Sequence, residues 1–287
     1  MSSRVLNEKM AAFIIPLILI LFGACSTAVE FNKEGEVLRY NFDEEKLLKY
    51  EMINSMNQEM DMMGQKIKTT SKLVLDYSLE TKASDETGTT LQVTIDKMEM
   101  ASESPRGKID ADTEPVIGKS FEMQVSDIGE EIDFEGVEEL RFSLMEGAER
   151  GVKSNFEMLF PNLPNSPVKI GDTYPTIDTL NIEEGGMTMQ MIFKSENKIV
   201  GIEEVDGYKC LKIEGKTDGS MSGSGSQGGM DFTMEASFPG TDITYFAYKE
   251  GLIIKSESIS KGKGNIIGTN MTIPLTMETL IKIDLQK

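Results

Sequence analysis

The stretch Ile67–Leu79, IKTTSKLVLDYSL, alternates apolar and polar side chains and decides the fold class. Its apolar residues Leu73, Leu75, Tyr77 and Leu79 occupy odd positions, and two lysines and an aspartate occupy even ones. Alternation with a period of two is typical of a strand that buries one face and exposes the other to water. The stretch therefore predicts an antiparallel sheet with one polar face.

The same alternation recurs along much of the chain, for example at 91–95, 187–191 and 230–238. Asp206-Gly207 and Glu250-Gly251 separate apolar runs, as tight hairpin turns do. Strands at such close spacing predict a mainly β chain, built on a curved antiparallel sheet or a half-barrel.

One segment departs from this period. Apolar residues at helical spacing form a stripe between Val137 and Phe160, and Pro161 and Pro164 follow it. A stripe of this kind is typical of an amphipathic helix, and prolines commonly end helices. The sequence therefore predicts an amphipathic helical insertion near 137–160 that covers a sheet face, which makes the expected class α+β.

Residues 219–229, GSMSGSGSQGG, are low in complexity and predict a flexible loop. Three of the glycines have the spacing of a dinucleotide-binding motif. That motif needs a helix after its last glycine, whereas the following residues alternate like a strand. We interpret the segment as an ordinary loop.

The N-terminus has the features of a secretory signal. Arg4 and Lys9 precede an apolar run at 11–21, and small residues lead from there to Cys25. The Gly-Ala-Cys ending resembles the lipobox of bacterial lipoproteins, whose cysteine is acylated and becomes the mature N-terminus. The resemblance implies a signal peptide at 1–24 and a lipidated Cys25.

The expected organisation is then a lipidated tether at 25–36 and a single β-rich domain at 37–287. A weak similarity between Met60–Ile67 and Asn265–Met271 hints at two related β halves flanking the helix. Ser26 after the cysteine resembles the pattern that permits sorting to the outer membrane. We therefore expect a chain anchored by lipid in the outer membrane of a Gram-negative bacterium and facing the periplasm.

Composition excludes several classes of function. The formal net charge of −19 repels nucleic acid, so a nucleic-acid partner is not expected. The chain has no histidine, which removes the commonest general base and the commonest transition-metal ligand. Lipidation of Cys25 would leave only Cys210, so no internal disulfide is expected.

The remaining motifs do not point to catalysis or to a metal. The acidic run at 127–139 lacks the spacing of a calcium-binding loop, and the clustered methionines lack the histidines that usually complete a copper site. No nucleophile elbow or Cys–His pair is present. We therefore predict a non-enzymatic protein without a cofactor.

The most distinctive chemistry is a set of Met and Phe residues on predicted strand faces. Thioether side chains adapt to irregular apolar partners, so these faces are candidates for an apolar ligand, a lipid or lipopeptide held between sheet and helix. The candidate lining consists of Met187, Met189, Met191, Met230, Phe232, Met234 and Phe238, with Phe156 and Leu159 from the predicted helix. The alternative is a structural or interaction lipoprotein with a filled core that docks an envelope protein.

Two further stretches carry a family resemblance. They are Leu38–Phe42, followed by Tyr50–Asn54 with the Met60–Gly64 hairpin, and Phe160–Asp172, FPNLPNSPVKIGD, with Tyr174 two residues later. Their order resembles a family of uncharacterised Gram-negative lipoproteins, a domain of unknown function that has no established activity. The layout of lipid anchor, curved sheet and covering helix also looks like that of the LolA, LolB and LppX lipoprotein carriers, which implies acyl chains held between sheet and helix.

Overall fold

The computed structural model describes residues 35–42, 46–62, 64–145, 148–184, 186–227, 230–269 and 271–287. Strands predominate in these residues. Their bounds are β1 Leu48–Met62, β2 Gln65–Asp85, β3 Gly88–Ser104, β4 Gly107–Asp110, β5 Ser120–Val125, β6 Glu131–Glu135, β7 Arg141–Met145, β8 Ala148–Gly151, β9 Thr173–Glu184, β10 Met187–Val205, β11 Tyr208–Gln227, β12 Met230–Ala247, β13 Leu252–Gly268 and β14 Met271–Leu285.

Within the described residues, twelve strands form one antiparallel sheet in the order β6-β5-β3-β2-β1-β14-β13-β12-β11-β10-β9, with β4 paired to β3. Most strands that are neighbours in the sheet are also consecutive in the sequence and are joined by hairpins. In the middle of the sheet, however, the first strand β1 pairs with the last strand β14. Their ladder runs from Tyr50 opposite Leu285 to Met60 opposite Leu275. The prediction of a mainly β chain with a curved antiparallel sheet is confirmed, and the sheet is open.

The predicted Asp206-Gly207 turn joins β10 to β11. Both of its residues have positive φ, 52° for Asp206 and 91° for Gly207, as turns of this kind require. The ladders shift register at bulges, between Ile199 and Gly201 and between Tyr245 and Phe246. Bulges increase local twist and bend a sheet, which gives this one a source of curvature.

One face of the sheet carries the hydrophobic core. Residues directly opposite each other in a ladder point to the same side, so the pairings define one continuous face through Tyr77, Tyr50 and Phe246, called the inner face below. At the end of the sheet where these three residues lie, their side chains are buried. We call this end the covered half.

Two irregular segments, at 35–42 and 152–168, cover that half. The Tyr40 ring meets the rings of Phe160 and Phe246 edge-on, with centroids 5.3 Å apart in both cases, and its hydroxyl donates to the Pro161 carbonyl at 2.8 Å. Phe156 packs on Tyr77 in the same edge-on manner, with centroids 5.6 Å apart. The core is therefore closed by loops lying on the sheet.

The predicted helical insertion near 137–160 is wrong. The described part of this segment contains two single 3₁₀ turns, Val137–Glu139 and Lys153–Asn155, and the two-stranded sheet of β7 and β8. Arg141–Met145 alternates as a strand does, and glycines within the segment weaken a helix by about 1 kcal/mol each. The apolar stripe is still buried, because Val137, Val152, Phe156, Leu159 and Phe160 reach the core from irregular backbone.

The predicted flexible loop at 219–229 is also not formed in its described part. β11 continues to Gln227 and pairs with β10 on one side and β12 on the other. Gly219, Gly223 and Gly225 alternate with serines, so the glycines share the inner face and the serines the outer one. The segment therefore has the Gly-Ser composition of a linker, but its residues alternate between the two faces as those of a strand do.

Contacts divide the chain into Met1–Glu30 and Phe31–Lys287. The second unit contains every described element, so residues 31–287 hold the whole described fold. The predicted signal peptide, Cys25 and most of the tether lie outside the described residues. In the part that the structure describes, no helix is long and apolar enough to cross a membrane.

Candidate apolar binding face

The inner face continues beyond the core towards the hairpins that join β9 to β10, β11 to β12 and β13 to β14. We call this end the open half. Its ladders align Met191, Met221, Ala236 and Leu275 across the sheet in one row, and rows of similar character lie on either side. We define the methionine field as eleven of the apolar inner-face residues here: Met187, Met189, Met191, Phe193, Met221, Phe232, Met234, Phe238, Ile266, Ile273 and Leu275.

The field is only partly shielded from water. Met221, Phe238 and Leu275 are buried, at 8%, 5% and 3% exposure, yet they are separate from the main core cluster, and most other field residues are half-buried. The outer-face residues between them, such as Thr188 and Thr233, are exposed. In the described residues, the inner face of the open half is therefore better shielded from water than the outer face, and its side chains shield one another.

Glycines on β11 make the field continuous. A Cβ on Gly219 would stand 2.3 Å from the Phe238 ring, and one on Gly225 would stand 2.8 Å from the Phe232 ring. The aromatic rings of β12 therefore lean across β11, and the Phe238 ring reaches Phe193 on β10 with a centroid distance of 5.4 Å. Only glycine allows this close approach of a ring to the neighbouring backbone.

A polar belt separates the field from the core. One row of the ladders carries a hydroxyl on almost every strand, and the adjacent row towards the core carries further polar groups. The belt consists of Thr176, Ser195, Thr217, Ser260 and Thr279 in the first row, and Asn197, Asp242 and Ser258 in the second. The inner face of the open half is thus amphipathic along the strand direction.

Asp242 is the centre of the belt's hydrogen bonds. Thr217 Oγ1 lies 3.2 Å from Asp242 Oδ2, and Ser258 Oγ lies 3.3 Å from Asp242 Oδ1, so both hydroxyls donate to the carboxylate. Ser195 Oγ lies 2.7 Å from Thr217 Oγ1 and extends this chain towards β10. Burial raises the pKa of Asp242, and the two hydroxyl donors oppose that shift.

Gly215 explains how the carboxylate reaches this position. A Cβ on Gly215 would stand 2.0 Å from Asp242 Oδ2, so the side chain of Asp242 lies directly over the β11 backbone. The described residues provide no ion pair to Asp242 from a lysine or an arginine. Its partners are therefore neutral hydroxyl groups.

Charge on the inner face of the open half has one sign. Asp178 on β9 lies on this face, where it accepts a hydrogen bond from Asn162, and burial raises its pKa. The described lysines of the same strand segments, including Lys68, Lys216 and Lys263, lie on the outer face. The ladders place no lysine or arginine on the inner face of these segments. An anionic group there would thus meet carboxyl groups without a compensating cation.

The sequence-predicted lining residues fall into two places. Met187, Met189, Met191, Phe232, Met234 and Phe238 share the inner face of the open half, as their spacing predicts. Phe156 and Leu159 lie instead in the closed core, at 0% and 3% exposure. Met230 begins β12, and its side chain lies outside the described ones.

Sequence reasoning did not identify Phe193, Met221 or the belt. Phe193 continues the alternation of Met187–Met191, so the period could have found it. The belt could not be found in this way, because it runs across the strands. Its members meet only once the register of six strands is known.

A depression of about 450 Å³ lies at the hairpin end of the open half. Its lining includes Phe232 from the field but consists mostly of outer-face and turn residues, such as Thr188, Ser224 and Thr233. The volume lies in the range usual for ligand sites, about 300–1,000 Å³.

The described residues hold no group of three His, Cys, Asp or Glu side chains placed to bind a metal ion. Cys210 is a buried free thiol, and burial raises its pKa to about 11. A thiol of this kind is a poor nucleophile, because the thiolate is the reactive form.

No family model matches the sequence, and no curated protein sequence matches it either. Among solved structures, an outer membrane channel from Pseudomonas putida F1 is similar with a TM-score of 0.22 and 6% identity, over 89% of this chain and 99% of the channel. OpdO from Pseudomonas aeruginosa is similar with a TM-score of 0.17 and 8% identity, over 84% of this chain and 97% of OpdO. Similarity at this level assigns neither a fold nor a function.

Proposed function

We propose that this chain is a non-enzymatic envelope lipoprotein that binds an apolar ligand, the acyl chains of a lipid or lipopeptide, on the methionine field. The observation that carries the proposal is a difference between the two halves of one face. In the covered half, loops close the inner face into a core, whereas in the open half the same face presents Met, Phe and Ile side chains most of which are only half-buried in the described residues. Large partly exposed apolar patches commonly mark binding surfaces.

The composition of the field favours an acyl chain. Methionine side chains are unbranched and polarizable, and they repack around irregular partners. The rings of Phe232 and Phe238 lie over the glycines Gly225 and Gly219, which gives a continuous apolar surface. The predicted lipid anchor at Cys25 would insert into the periplasmic leaflet of the outer membrane. It would hold the methionine field close to that leaflet.

A second candidate is the docking of an envelope protein partner on the same field. The closed core favours it, because Phe156 and Leu159 are buried between the sheet and its cover rather than exposed to a ligand. The two candidates differ in their occupant, so direct identification of that occupant separates them.

The deciding experiment is mass spectrometry of solvent extracts from residues 26–287, secreted to a periplasm and purified without detergent. We expect a stoichiometric lipid that disappears in the double variant Met189→Glu and Met234→Glu. The matched control is Thr188→Glu with Thr233→Glu, which adds the same charges to the same strands on the outer face. This control should keep the lipid.

A folded monomer with a clean extract would overturn lipid binding. A co-purifying polypeptide that is lost in the inner-face variant alone would replace lipid binding with the docking function. Circular dichroism and a melting curve for both double variants would show that the loss of ligand is not a loss of fold.

A further inference from the structure

The hydroxyl belt borders the methionine field along its whole width, and this arrangement has the polarity of an amphipathic molecule. The field rows contain Met, Phe, Ile, Leu, Ala and Gly over six strands, with Asp178 and Glu184 at the β9 margin. The next row towards the core is Thr176, Ser195, Thr217, Ser260 and Thr279, and Asp242 follows one row further. An acyl chain on the field would thus bring its polar end to the belt.

The charge of that end is set by Asp242 and Asp178. Asp242 is half-buried, has only hydroxyl hydrogen bonds, and has no ion pair with a lysine or an arginine of the described chain. Asp178 adds a second carboxyl group on the same face. A bound anion would be repelled by both groups, whereas an ammonium group would gain the missing counter-charge and could donate to the belt hydroxyls.

We propose that the belt holds the ammonium group of an amphipathic ligand whose acyl chain lies on the methionine field, with Asp242 as its counter-ion. This inference rests on the function proposed above and specifies its ligand class: acylated amines and lipids with an ammonium headgroup, in preference to anionic lipids and fatty acids. The hydroxyl chain from Ser195 through Thr217 to Asp242 fixes the carboxylate in place.

The test is isothermal titration calorimetry on residues 26–287 with three probes of equal chain length: dodecylammonium, dodecanoate and dodecyl maltoside, each below its critical micelle concentration. We expect dodecylammonium to bind at least about tenfold more tightly than dodecanoate. The reason is that an ion pair at a partly desolvated site contributes more binding free energy than an exposed ion pair does. Asp242→Asn keeps the size and a hydrogen-bond acceptor, and it should reduce this preference to within about twofold.

Glu235→Gln is the matched control, because it removes one carboxylate from the same strand on the exposed outer face. It should leave the preference intact. Equal losses in Asp242→Asn and Glu235→Gln would overturn the inference, since the preference would then come from the net charge of the chain. Tight binding of all three probes without preference would also overturn it and leave the proposed function standing, whereas binding of none would overturn both.

Discussion

The ring of Phe238 lies across Gly219 on the neighbouring strand, so that a Cβ on Gly219 would stand 2.3 Å from two carbons of the ring. Phe238 is 5% exposed, although it belongs to the open half of the sheet. The missing side chain on β11 thus provides the space that the aromatic side chain of β12 occupies.

Gly219→Ala should destabilise the fold by about 1–3 kcal/mol, because the Phe238 ring must move away from the new methyl group. Chemical unfolding in urea measures this change. Gly201→Ala is the control, since a Cβ there would meet nothing within 4 Å and the backbone is not left-handed. This control should be neutral or stabilising by about 0.4–1 kcal/mol, through the unfolded chain. Similar values for the two variants would contradict the close approach.

Hydrogen exchange should distinguish a strand from a loop at 219–227. We expect the amides of this Gly-Ser segment to be protected, because β11 is bonded to β10 and β12 along its length. The turn at Asp206-Gly207 provides an unprotected reference in the same molecule. Exchange of the 219–227 amides at the rate of that turn would restore the flexible loop that the composition predicts.

The alternation of 67–79 and the turn dipeptides were sufficient to predict a mainly β chain, because strand period and tight turns are local properties. The same period placed Met187, Met189 and Met191 on one face. The prediction of a helix was wrong because an apolar stripe such as that at 137–160 indicates only that its side chains are buried. Irregular backbone can bury these side chains as well as a helix can. Here Gly136, at φ 80°, precedes the 3₁₀ turn Val137–Glu139, and the paired strands β7 and β8 follow that turn.

The belt and its central Asp242 could not be predicted from the sequence. Ser195, Thr217 and Ser258 are unremarkable in isolation, and they become neighbours of Asp242 only through the pairings of β10, β11, β12 and β13. Gly215 contributes by its missing side chain, which has meaning only once the strand beside it is known. Register depends on contacts between distant residues, and a local pattern does not encode them.

Phe156→Ala should cost about 3–5 kcal/mol of unfolding free energy, the range for truncating a buried aromatic side chain. The Phe156 ring is fully buried and packs edge-on against Phe121, with centroids 4.9 Å apart. Phe232→Ala in the field should cost clearly less, because that side chain is half-exposed. Urea unfolding of the two variants compares them directly. An equal cost would show that the field is covered in the same way as the core.

Cys25→Ala should abolish acylation and leave the precursor with its signal segment at the inner membrane. The expectation follows from the lipobox-like Gly23-Ala24-Cys25, whose thiol is the acceptor in the lipoproteins it resembles. Membrane fractionation with mass spectrometry of the N-terminal peptide measures the outcome. Ser26→Ala is the control and should still be acylated. A lipid-modified Cys25→Ala protein in the outer membrane would contradict the assignment.

Glu131 should make the stability of the loop over the core depend on pH. Its carboxylate accepts the backbone N–H of Phe160 at 3.0 Å and that of Met158 at 3.3 Å. Burial nevertheless raises the pKa of Glu131 from 4.5 to about 7, because the loss of hydration exceeds the effect of these hydrogen bonds. The folded chain therefore binds this proton more tightly than the unfolded chain does.

Stability should consequently fall as pH rises from about 4.5 to about 7, and the contribution of Glu131 should be constant above that window. Glu131→Gln retains one oxygen, which can still accept the N–H of Phe160, and it cannot ionise, so the variant should lose this part of the slope, on the order of a few kcal/mol. Glu135→Gln at the exposed end of β6 is the control and should keep it. Urea unfolding of the three proteins across this pH window gives the slopes, and parallel slopes for wild type and Glu131→Gln would contradict a buried carboxyl group beneath the Phe160 loop.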